Sequence, residues 1–80
     1  MTDQINRRIE EDVLTTARQI VARADRRVET LRAALARALL RRHELVARRA
    51  QERLELAERE LTLAQGRYRT LANRVVEERT

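Results

Sequence analysis

The sequence predicts an all-α protein, a long amphipathic helix engaged in an antiparallel coiled coil over a single unit spanning residues 1–80. Three observations carry this. The chain is 42% hydrophobic and 39% charged, with no proline and one glycine, which matches a long helix and opposes a disordered chain. Apolar residues recur in the 3–4 alternation that keeps one helical face turned toward a partner. Large and small residues also alternate along that stripe. An antiparallel pair then sets leucine opposite alanine and fills each layer evenly, whereas a parallel pair alternates crowded layers with gaps.

Helix is expected from about Asp3, with Thr2 or Asp3 able to accept the first free backbone amides. Ile5, Ile9 and Val13 form an early stripe. Leu14, Val21, Val28 and Leu35 then recur by sevens, with Ala17, Ala24, Leu31 and Ala38 three residues after each. In the C-terminal half Leu54, Leu61, Tyr68 and Val75 recur by sevens, with Ala50, Ala57, Ala64 and Leu71 between them. The association seam is therefore Leu14, Val21, Val28, Leu31, Leu35, Ala50, Leu54, Ala57, Leu61, Ala64, Tyr68, Leu71 and Val75. Fraying is expected after Val76, where Glu77 and Glu78 oppose the helix dipole.

The two halves of the seam are out of phase, because extending the first places Arg42 and Arg49 on the buried stripe. Two connections resolve this. An eleven-residue rhythm, Val28, Leu39, Ala50 and Leu35, Val46, Ala57, carries the stripe across in one continuous helix. A turn near residues 41–45 instead folds the chain into a two-helix hairpin. Local chemistry favours the continuous rod, since residues 39–51 contain no Gly, Pro, Asn, Asp or Ser. Gly66 falls at the outermost position of the repeat and costs about 1 kcal/mol relative to alanine without breaking the helix. Asp3 with Arg7, Glu44 with Arg48 and Glu55 with Arg59 are acid-before-base pairs four apart, which support helix in all three regions.

Net charge is +5, carried entirely by arginine on the basic side, a usage that points to a GC-rich genome. From Arg18 to Arg53 eleven arginines stand against Asp25, Glu29, Glu44 and Glu52, so the middle of the chain attracts acidic partners. Arg37, Arg41, Arg42, Arg48, Arg49 and Arg53 are the candidate contacts for such a partner or for phosphates, which guanidinium groups bind bidentately. Acidic residues interrupt this belt, and no aromatic interleaving offers a stacking platform for bases.

The chain has no cysteine, which excludes disulfides, thiolate metal sites and a cysteine nucleophile. There is no serine and no glycine-rich phosphate loop, so no enzymatic activity is expected. No cofactor or metal is expected either. His43, the single histidine, lacks the convergent ligands that a metal site needs, and Tyr68 reads as a seam tyrosine whose hydroxyl reaches the rim. Without an apolar run near the ~18 residues that a membrane span requires, or the layout of a signal peptide, the expected location is the cytoplasm.

The repeat "RRHELVARRAQERLELAERELTLAQ" resembles long helical stalk and scaffold segments, such as those of rotary-ATPase peripheral stalks, secretion-system stalks and phage-shock-type helical hairpins. The resemblance implies a structural role and assigns no residue or activity. The functional expectation is a non-enzymatic interaction protein of scaffold, spacer or stalk type. It acts by pairing with itself, as an antiparallel homo-oligomer, or with another helical protein. The alternative is a basic helical protein that binds nucleic acid through the central arginines; a third is a designed or excerpted helix without independent function.

Overall fold

A computed structural model describes Thr2 to Arg79. Two helices, α1 (Thr2–Leu40) and α2 (Glu44–Arg79), lie antiparallel along an elongated body of 61 × 16 × 13 Å. A helix of α1's 39 residues rises about 58 Å at 1.5 Å per residue, so the body is one helix long. The chain thus keeps the all-α, antiparallel character read from the sequence. It adopts the hairpin in place of the favoured continuous rod.

The reversal is made by Arg41, Arg42 and His43, inside the 41–45 window. Arg42 takes the left-handed conformation at φ 57°. The His43 amide donates to the Ala38 carbonyl (3.0 Å) and the Arg42 amide to the Leu39 carbonyl (3.1 Å). That crossed pair is a Schellman cap, which satisfies the last carbonyls of α1 and turns the backbone out of the helix. The His43 carbonyl then accepts from the Ala47 amide at 2.8 Å and opens α2. So short a connection requires the helices to approach closely, and Ala38 and Ala47, both buried beside the turn, permit it.

The core is the seam, closed within one chain. Val28, 1% exposed, packs with Leu54 and Ala57, and the half-buried Leu31, Leu35 and Leu61 close around them. Carried by sevens along the antiparallel pair, this register sets Val21 beside Ala64 and Ala17 beside Tyr68, large against small. The Arg18 guanidinium, which donates to the Tyr68 hydroxyl at 3.3 Å, confirms the register toward the open end. The eleven-residue rhythm is not used, since it would bury Leu39 and Val46, and both are exposed.

Two local expectations change. Ile5, Ile9 and Val13 stay exposed, because the α1 stripe that meets α2 runs through Glu10, Leu14 and Ala17 instead. Helix α2 also continues past Val76 to Arg79, a cation suited to the helix C-terminus that pairs with Glu11 of α1 at 3.9 Å. Among the described residues, the three acid-before-base pairs do not close to 4.0 Å and remain solvated. No helix there is long and apolar enough to cross a membrane.

Candidate interaction surface

Every seam residue named from the sequence lies on the inner faces of the hairpin. Val28, Ala50, Leu54, Ala57 and Ala64 are buried; Leu14, Val21, Leu31, Leu35, Leu61, Tyr68, Leu71 and Val75 are half-buried. Each half of the chain covers the other, so the seam is already occupied when one molecule folds.

A second apolar surface remains, along one flank. Packing two helices by their seams leaves two lateral grooves, each bordered by the positions next to the seam. One is polar, edged by Arg18, Asp25 and Arg32 of α1 and Gln51, Glu58 and Gln65 of α2, all exposed. The other carries Val13, Ile20 and Ala34 on α1, with Arg27 in the same row, and Val46, Leu56 and Leu63 on α2, beside the charged Arg53, Glu60 and Arg67. Its middle is an open groove bordered by Val13, Thr16 and Ile20 on one side and Leu63, Arg67 and Leu71 on the other, floored by Ala17, Ala24 and Ala64. Toward the turn a separate depression is lined by Leu31, Ala34, Val46 and Ala50 with Arg49 and Arg53. Toward the open end another is lined by Ile9, Leu14 and Val75 with Glu10, Arg74 and Glu78. Ile20 is 51% exposed and Leu63 61% exposed.

Isolated exposed leucines need no explanation, but large apolar residues grouped on one flank, here interleaved with Arg53, Glu60, Arg67 and Arg74, mark an amphipathic interaction surface. The sequence contains its signal. Once the seam is assigned, several large apolar residues have no place in it, among them Ile5, Leu39, Leu40, Leu45 and Val76 as well as Val13, Ile20, Leu56 and Leu63, and the last four fall on one side.

The charges separate by end. Arg37, Arg41, Arg42, Arg48, Arg49 and Arg53 are all exposed around the turn, where Glu44 and Glu52 are the acids between residues 37 and 53. None of the six is within 4.0 Å of a described carboxylate. At the open end, Asp3, Glu10, Glu11, Asp12, Glu77 and Glu78 face four arginines, Arg7, Arg8, Arg74 and Arg79. There a hydrogen bond with Glu78, reinforced by partial desolvation and by the charge of Glu78, raises Glu10 above the ordinary glutamate pKa; Arg79 and Arg7 oppose the shift.

His43 is exposed in the turn, remote from the open-end carboxylates. Among the described residues no three histidines, cysteines or carboxylates converge on a metal position. Tyr68 is half-buried with its hydroxyl at the rim, and the Arg18 guanidinium carbon lies 5.9 Å from the ring centroid.

Known proteins add nothing to this geometry. No family model matches the sequence, and no curated protein or solved structure matches it significantly. The likeness to stalk and scaffold segments therefore rests on the repeat pattern alone.

Proposed function

We propose that this chain is a non-enzymatic helical interaction module that pairs with another helical layer, acting as a scaffold or spacer. The observation that supports it is the apolar flank through Val13, Ile20, Leu56 and Leu63. Helices bury one stripe against a neighbour, and a helix with a second stripe belongs in a bundle of more than two. The seam serves the fold, so the flank is the association surface. Charging Leu54 or Leu61 would unfold the hairpin before it tested any partner.

The test is the double variant Ile20→Glu, Leu63→Glu beside the unaltered chain. Both positions are exposed in the hairpin, so helix content measured by circular dichroism should be unchanged. The unaltered chain should associate or take up an apolar-surface dye, and the variant should do neither. Identical behaviour of the two proteins would refute the reading.

A second reading has its own observation, the six exposed arginines grouped around the turn without carboxylate partners. These guanidinium groups suit the phosphates of a nucleic acid, bound without sequence preference. Binding to duplex DNA that falls steeply with salt and is lost in Arg41→Gln, Arg48→Gln, Arg49→Gln would establish it; salt-independent or absent binding would remove it.

A further inference from the structure

Resting on the interaction-module reading, we infer that the occupant of the apolar flank is a second copy of this chain, laid antiparallel to the first to make a four-helix bundle. Three features of the hairpin lead there.

The first is the distribution of apolar residues along the flank. Val46 stands near the turn, Leu56, Leu63 and Ile20 lie toward the middle, and Val13 and Ile9 lie near the open end. A two-fold axis through the middle of the flank brings Val46 of one copy to Ile9 of the other and Leu56 to Ile20, while Leu63 and Glu60 of each copy lie close to the axis. The strip is thus self-complementary under reversal, as an isologous two-fold interface requires.

The second is charge. Between residues 37 and 53 the turn end carries six arginines and two glutamates, whereas the open end carries six carboxylates and four arginines. Antiparallel packing sets the basic turn of each copy beside the acidic open end of the other. Parallel packing sets two basic turns side by side, and like charges brought together oppose association. The third is size. The hairpin is 61 Å long and 13–16 Å across, so one flank offers on the order of 800 Å² per copy, the area of a standard stable interface.

The experiment combines mass with direction. The chain has no cysteine, so a nitroxide placed by Leu40→Cys reports from a single position, 84% exposed at the turn and off the flank. Sedimentation equilibrium should give twice the 9.4 kDa chain mass. The register that sets Val46 on Ile9 puts Leu40 of one copy opposite Arg8 or Ile9 of the other, so electron–electron dipolar spectroscopy should then place the two labels roughly 50 Å apart at 1.5 Å of rise per residue. Adding Ile20→Glu and Leu63→Glu should return the mass of one chain. A dimer whose labels lie within the width of the bundle overturns the antiparallel order. A single-chain mass for the unaltered protein overturns the second copy; if that monomer takes up apolar dye and the double variant does not, the flank itself still stands. A dimer indifferent to the double variant overturns both the inference and the reading beneath it.

Discussion

Replacing Arg42 separates the hairpin from the continuous helix by the sign of one energy difference. In the hairpin Arg42 holds φ 57°, where an L-residue pays about 1–2 kcal/mol because Cβ crowds the following carbonyl. Glycine escapes that cost but loses more backbone freedom on folding, which returns about 0.5–1 kcal/mol. Arg42→Gly should therefore be more stable than Arg42→Ala by roughly 0.5–1 kcal/mol. Comparing two neutral variants removes the effect of discharging the basic turn. In a continuous helix the same position would be interior, and glycine would be worse than alanine by about 1 kcal/mol. For a chain of this size the hairpin predicts that Arg42→Gly melts roughly 2–8 °C above Arg42→Ala. Both should be followed by circular dichroism at one protein concentration, because association shifts the midpoint. An alanine variant that outlasts the glycine variant would refute the Schellman turn and the fold built on it.

Two further predictions concern the core and the open end. Leu54→Ala removes a buried side chain from the Val28–Ala57 cluster and should cost about 2–4 kcal/mol in urea unfolding. Leu40→Ala, at a position 84% exposed, should stay within about 0.5 kcal/mol; equal costs would mean the seam is not the core. Because folding raises the Glu10 pKa, the stability it contributes is fully present below the ordinary glutamate pKa and is lost as pH rises through the raised value. Unfolding midpoints followed across the acid range should show that decline in the unaltered chain and a weaker one in Glu10→Gln, and superimposable profiles would contradict the Glu10–Glu78 contact.

The seam was legible because apolar periodicity reports directly on which face is buried, and each of its residues lies inside the hairpin. The turn was hidden by its chemistry. A Schellman cap usually places glycine at the left-handed position, and this one uses Arg42, within a run of strong helix formers from Leu39 to Gln51. Propensity there points to helix, and tertiary packing overrides it. The mismatch between the two halves of the repeat was the trace of the turn, and Ala38 beside Ala47 shows how the close approach is accommodated. The flank was readable only in part. Ile20 and Leu63 stand out as apolar residues outside the seam, but that they share one side depends on the register in which α1 meets α2, and only the folded pair fixes it.

The central claim is that one chain closes its own seam, and small-angle scattering with absolute mass determination tests it most directly. A hairpin, alone or as an antiparallel pair, should show a longest dimension close to the 61 Å body plus side chains. A continuous helix of the same residues would reach about 115 Å at 1.5 Å per residue, and a particle of that length would contradict the account.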